Sequence, residues 1–510
     1  MLRHRWKILT GIAVAFVVFI CIEVATIGNG PKKEVEAYKK SLIAQGEKLE
    51  ISELLPPPVS PEQNGADLVN QALVMLTSEE EYPPNLIPLM PLVAAGKEMV
   101  YSKQPDVRDS NFTNTWANAM TVVRRERPIT ELLRKAVAYP AIDLHLGGGA
   151  WEFMHQKPIS GGSDRLATEA ICALHQGDVA SASTNICVIL ALVNCLGNQR
   201  SLVYEEQRFI MILAAANTTW ELLQSGNSSD TDLAILQGSW ERVEVIPVME
   251  NEILMQRAID ESEAVKLQTS SEYFDMQTSG AMLSDDFPRA PRSRLKRFAD
   301  NARFVCCKFI YRGSRIYSDE MQMLRHYQIV LETIRTVETN QCFYPAFSEM
   351  TDQLWALGTN QPDDWLAKLD TFGLHDLVSA SDLRTTVRDA MGLEAVRRIE
   401  IAAIALKRYQ LKHGSYPASL SDLTPKFIPS VPRDPIDGKS LRYRLMPNGS
   451  FLLYSIGDNG RDDGGDGSFG RKSSDYPPSI WFEPDLLDWV WPQPATAAEI
   501  QYFYAHRSKP

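Results

Sequence analysis

The spacing of apolar residues makes residues 62 to about 395 read as mostly helical, apart from 281–315, which is poorly periodic and reads as a long loop. The pattern is most regular across 163–245. Ser163 is placed to cap a helix running to His175, and the break "QGD" precedes a second helix from Val179 to about Leu196. "GNQRS" separates a third helix, Leu202 to Gln224, and "SGNSSDTD" separates a fourth that opens with "LAILQ". Short polar breaks between apolar-striped helices predict antiparallel stacking. The joint "ALHQGDVASA" has the small residues of a helical-repeat turn, but no 34-residue period is present, so an irregular α-helical bundle is expected.

Before the bundle, "MLRHRWK" precedes an apolar run, residues 8–27, in which Glu23 is the only charge. About 20 such residues span a hydrocarbon core as a helix. A cleaved signal peptide is the rival reading, but a cut after Ala25 would put Glu23 at the −3 position, where a small residue is needed. An uncleaved anchor in residues 1–30 is expected, with the membrane partner bound through residues 8–27. Arg3, Arg5 and Lys7 place the N-terminus in the cytoplasm and the bulk outside, although Lys32 and Lys33 lie on the far side. Residues 31–61 then read as a juxtamembrane helix, with Val35, Tyr38, Leu42 and Ile43 on one stripe, and a stiff connector, "LLPPPVSP". Ser60, Pro61 and Gln63 have the spacing of a helix start.

At 510 residues the chain exceeds a single domain of ordinary size. Its net charge of −12 argues against nucleic acid as a partner, because phosphate contacts need a basic face. The basic run Arg289–Arg297 reads as a solvated loop. The seven cysteines show no metal-finger spacing, and buried thiols are expected. The eight histidines form no HExxH, and neither a GxSxG elbow nor a phosphate loop occurs. No catalytic residues are assigned.

The C-terminal region carries a denser pattern. A helix ending at Gly414 is followed by Tyr416-Pro417, then a proline-rich loop with Pro432, Asp434-Pro435 and Gly438. Residues 439–457 alternate as a β-hairpin around "PNG", and Ser455, Gly457 and Gly460 lead into the acidic loop "GDNGRDDGGDG". Four carboxylates within nine residues, Asp458 to Asp466, repel one another unless solvated or neutralised. A hard divalent cation with about six to eight oxygen ligands would neutralise them, and the glycines allow tight folding around it. The spacing is not that of an EF-hand; a solvated loop without an ion is the other reading.

In order and spacing, this stretch resembles the head domain of type II secretion major pseudopilins over about residues 394–492, carried by Tyr416-Pro417, Pro432, Asp434-Pro435, Gly438, Tyr443, Ser455, Gly457 and Gly460. The resemblance implies a small α+β head whose acidic loop binds calcium, with Asp458, Asp462, Asp463 and Asp466 as candidate ligands and Asp488 as a late one. The chain departs from that family at its N-terminus, which lacks the prepilin-peptidase pattern, and in the long insert between anchor and head.

The expected fold is therefore mainly α: anchor 1–30, connector 31–61, α-helical domain 62–393, pseudopilin-like α+β head 394–492 with an antiparallel hairpin, and tail 493–510. The expected function is that of a single-pass protein of the bacterial inner membrane, extracytoplasmic in its bulk, acting by protein interaction or scaffolding. The alternative is an envelope-anchored hydrolase with its site in the helical domain, for which His155 with Asp164, or converging carboxylates, would be the sign.

Overall fold

The computed structural model describes residues 30–78, 92–108, 113–144, 159–283, 305, 308–309, 311–359, 383–470 and 486–506. The expected anchor at 8–27, the basic run at 289–297 and His155 lie outside these residues. Within them the chain is mainly helical, as its apolar spacing predicts, with a few small sheets.

The helices in chain order are α1 (30–44), α2 (Ile51–Leu54), α3 (Ala66–Ser78), α4 (Trp116–Ala136), α5 (Ser160–His175), α6 (Val179–Gly197) and α7 (Leu202–Leu223). They continue with α8 (Asp230–Glu241), α9 (Ile246–Thr269), α10 (Ser271–Leu283), α11 (Ile316–Asn340), α12 (Tyr344–Thr359), α13 (Leu383–His413) and α14 (Ala497–His506). The strands are β1 (Lys97–Glu98), β2 (Val107–Arg108), β3 (Thr113–Asn114), β4 (Arg442–Leu445), β5 (Phe451–Ile456), β6 (Asp488–Val490) and β7 (Gln493–Pro494). The chain forms two compact units. One draws on Met1–Leu55, Ile253–Thr333 and Glu349–Leu383, the other on Pro56–Glu252, Ile334–Ser348 and Arg384–Pro510.

In the first unit, α1 is a packed helix. Val35 and Leu42 are buried, while Ile43, expected on the same stripe, is exposed. Lys39 forms ion pairs with Glu261 and Glu320, and the buried Arg257 bonds Glu47 at 2.8 Å and Gln328 at 3.0 Å. A buried guanidinium needs such partners, because desolvating a charge is costly unless it is paired and hydrogen-bonded. These pairs tie residues just after the expected anchor to helices far along the chain.

The second unit holds the helical stack. α6 packs on α5, α7 and α8, and α4 packs on α3 and α5. Polar side chains cap the starts: Thr115 accepts the Asn118 N–H at 3.2 Å, Asp178 that of Ser181 at 3.1 Å, and Ser229 that of Asp232 at 3.1 Å. Capped by Ser229, α8 starts at Asp230, three residues before the apolar signal begins, and α5 likewise starts at Ser160 rather than Ser163. Ser60 does not cap a helix: Pro61–Gln63 is a single 3-10 turn, and Asn64 Oδ1 accepts the Ala66 N–H at 3.0 Å to start α3. α6 is long and apolar enough to cross a membrane, but most of its residues are buried inside this unit.

The C-terminal elements belong to this same unit. α13 begins at Leu383, so the expected boundary at 393/394 falls inside a continuous helix. It ends at Gly414, whose φ of +82° is the left-handed geometry a helix terminus favours in glycine. β4 and β5 form the expected antiparallel hairpin, with Arg442 opposite Tyr454 and Leu445 opposite Phe451, and β6 adds a third antiparallel strand. Residues 493–510, expected as a tail, are integrated as far as they are described. β7 pairs in parallel with β1, and Phe503 of α14 is buried in a cluster with Val93, Met99, Val107 and Trp116.

Trp220 of α7 is fully buried and donates its indole N–H to the Pro492 carbonyl at 2.9 Å, tying the helical stack to the strand end. Trp220→Phe keeps most of the packing but leaves that buried carbonyl without its donor. We expect a loss of about 1–3 kcal/mol, read as a lower thermal unfolding midpoint.

Candidate functional site

The acidic loop follows β5, and its geometry answers how its carboxylates are held. Asp488, at the start of β6, is buried and accepts three peptide N–H groups: Asp463 at 3.3 Å, Gly465 at 2.8 Å and Asp466 at 3.2 Å. Gly464 and Gly465 have φ of +79° and +85°, and this left-handed pair turns the peptide groups toward Asp488. Burial pushes the Asp488 carboxyl above the usual range, against the pull of those N–H groups.

A second centre lies on β4. The guanidinium of Arg442 reaches Asp434 at 2.8 Å, Asp437 at 2.7 and 3.0 Å, and Asp462 at 3.1 Å. Asp434, fully buried, also accepts the Ile436 and Ile456 N–H groups, both at 2.9 Å, and the Ser455 hydroxyl at 2.7 Å. Burial dominates Asp434 and raises its pKa. For Asp437 the pairing outweighs burial, and its pKa falls to about 2. The Tyr443 hydroxyl donates to the Pro417 carbonyl at 2.7 Å. A Cβ on Gly457 would meet the Leu487 carbonyl oxygen at 2.5 Å. Residues that carry the C-terminal sequence pattern thus touch one another or pack where only glycine fits.

Besides Asp488, three of the candidate metal residues use their carboxylates in bonds of their own. Asp462 gives one oxygen to Arg442 and the other to the Tyr454 hydroxyl at 2.9 Å and the Gly464 N–H at 3.1 Å. Asp463 accepts the Asn459 amide at 3.0 Å, and Asp466 accepts the Ser468 N–H at 2.9 Å. Asp458 stands half-buried at the loop's start. Among the described residues, no three acidic, His or Cys side chains are grouped as metal ligands. Asp462 Oδ1 and Asp488 Oδ2 each accept two N–H or O–H donors, while the other oxygen of each accepts one and keeps a lone pair.

A second constellation has no local signature. Glu98 of β1, Glu221 of α7 and Glu400 of α13 are all fully or almost fully buried. Glu221 is satisfied by the Tyr101 and Ser102 N–H groups at 3.1 and 2.6 Å and by the Ser102 hydroxyl. The carboxyl oxygens of Glu98 and Glu400 have no hydrogen-bond partner among the described residues. Burial first, and then a neighbouring glutamate, raises both well above the usual carboxylate range.

The same segments build a partly open cleft of about 170 Å³, just C-terminal to these carboxyl groups on α7 and α13. Gln224, Ala403, Lys407, Tyr416, Phe451 and Trp491 are among its lining residues. Burial, and then the like charge of Lys103, lowers the Lys407 pKa. No sequence motif marks this site. Its one signal is that Glu400 and Lys407, seven apart on α13, bracket the apolar run 401–406. Asp164, which with His155 would be the sign of a hydrolase, is exposed, and His155 is outside the described residues.

Comparison of the chain with protein-family models, with curated proteins and with solved structures returned no match.

Two pH responses follow. Asp437 has a folded pKa of about 2, below its unfolded value of about 3.9. Its contribution is present above that unfolded value and lost as pH falls toward 2, so Asp437→Asn should flatten the acid limb of a stability–pH curve. Glu400 runs the other way: its raised pKa means stability is lost as pH climbs past the unfolded value. Glu400→Gln should therefore raise the thermal midpoint more at about pH 8 than at about pH 5.

Proposed function

We propose that this chain is a single-pass protein of the bacterial envelope that acts by binding another protein through a pseudopilin-like C-terminal region. The supporting observation is the acidic loop. Asp462, Asp463 and Asp466 are exposed, yet Arg442 and the peptide groups around Asp488 hold the loop in one shape. A preformed, negatively charged surface suits docking of a basic partner segment, because little ordering entropy is lost and opposite charge steers the encounter. Placement in the inner membrane, with the N-terminus cytoplasmic, rests on the sequence of residues 1–30 alone.

A calcium-steadied loop is the rival account of the same segment; it requires carboxylates that are not grouped around one point to converge on the ion. An envelope-anchored hydrolase is the alternative function, favoured by the converging carboxyl groups of Glu98, Glu221 and Glu400. Their full burial keeps a substrate from them, so binding stands first.

Photocrosslinking in intact cells tests the reading. A crosslinking residue at position 461 or 463 should give one discrete adduct, and one at position 448, in the hairpin turn, should not. Adducts from 448 alone would overturn the assignment. In parallel, thermal unfolding of the full chain with calcium and then chelator should give the same midpoint. A rise of several degrees that Asp466→Asn abolishes would favour the calcium-held loop instead.

A further inference from the structure

We infer that the Lys407 cleft is a binding site for a small carboxylate with an apolar or aromatic body. This goes beyond the proposed docking function and uses none of the acidic loop.

The cleft joins two kinds of surface. Trp491 and Phe451 are buried aromatic lining residues, and Ala403 adds a small buried apolar one. Against these stand two donors, the Lys407 ammonium and the Tyr416 hydroxyl, both part-buried. Neither has a hydrogen-bond or ion-pair partner among the described residues. The charge acting on Lys407 is that of another cation, Lys103, which donates to the Gln224 carbonyl at 2.7 Å beside the cleft. In a chain of net charge −12 this is a local positive site: Lys103 acts on the buried Glu221, and no carboxylate pairs with the Lys407 ammonium among the described residues.

A half-buried ammonium beside a like charge is unfavourable until an anion arrives, and an anion there also satisfies the tyrosine hydroxyl. The volume limits the guest. Drug-sized ligands fill about 300–1,000 Å³, whereas about 170 Å³ admits roughly one amino-acid-sized group. The shared chemistry is therefore a terminal carboxylate on one apolar side chain, either a free small acid or the C-terminal end of a peptide.

The test is calorimetric titration of the full chain in detergent with N-acetyl-phenylalanine, its amide, and a tripeptide ending in phenylalanine with a free carboxylate. Saturable binding of the acid is expected. Loss of the carboxylate in the amide, or Lys407→Gln in the protein, should each weaken it about tenfold or more, the scale of a charge-assisted hydrogen bond. Tyr416→Phe keeps the wall and should weaken binding less; it serves as the second variant if Lys407→Gln does not fold, with thermal unfolding as the folding control. A peptide that binds tighter than the free acid would identify a chain end as the guest; equal affinity would identify a free acid. Equal binding of acid and amide, unchanged affinity in Lys407→Gln, or no saturable binding by acid or peptide would each overturn the assignment.

Discussion

Much of the second unit follows from one constraint: from Met211 to Leu223, α7 has no residue facing water. A helix buried on every side needs neighbours on every side, and most polar groups along it find a partner, the Asn217 Nδ2 excepted. α5 and α6 cover it on two flanks. Thr219 accepts the Trp240 indole N–H at 3.1 Å, Trp220 reaches the Pro492 carbonyl, and Glu221 receives the peptide groups of Tyr101 and Ser102. The polar residues of α7 therefore recruit segments from both ends of the unit. Apolar burial supplies the drive and these bonds the register, because each one misplaced would leave a buried polar atom unmet.

Donors already in the chain relieve part of the acidic loop's crowding. A guanidinium has five N–H donors in a fixed fork, and Arg442 directs its donors to three aspartates. Asp488 uses the loop's own peptide groups. Charge is thus absorbed by donors already in the chain, and part of the loop's negative surface stays exposed. Removing Arg442 would strand a buried Asp434, a far larger disturbance than losing a surface pair.

What is legible in the sequence follows from the range of each signal. The helices and the hairpin are legible because spacing is local: Val179 to Leu196 and the alternation around "PNG" stand where the pattern predicts them. Pattern residues such as Asp434, Ser455, Tyr443 and Pro417 are legible as a set, and they meet. Arg442 as the partner of the aspartates is not, since one arginine in an alternating strand looks like a solvent-facing residue. Glu98, Glu221 and Glu400 come from three distant segments with no pattern linking them. Residues 493–506 read as a tail because a two-residue strand and one short helix carry almost no periodicity.

The pairing of β1 with β7 has a consequence in time rather than in space. Lys97 and Gln493 are neighbours in the sheet but are separated by most of the chain. At a synthesis rate of about 5–20 residues per second, the earlier strand waits on the order of 20–80 seconds for its partner to be made. Throughout that interval the Val93–Trp116 cluster lacks Phe503 and presents apolar surface. Completion of this unit therefore waits until residues 493–506 have been made, and the apolar surface of its earlier half needs shielding until then.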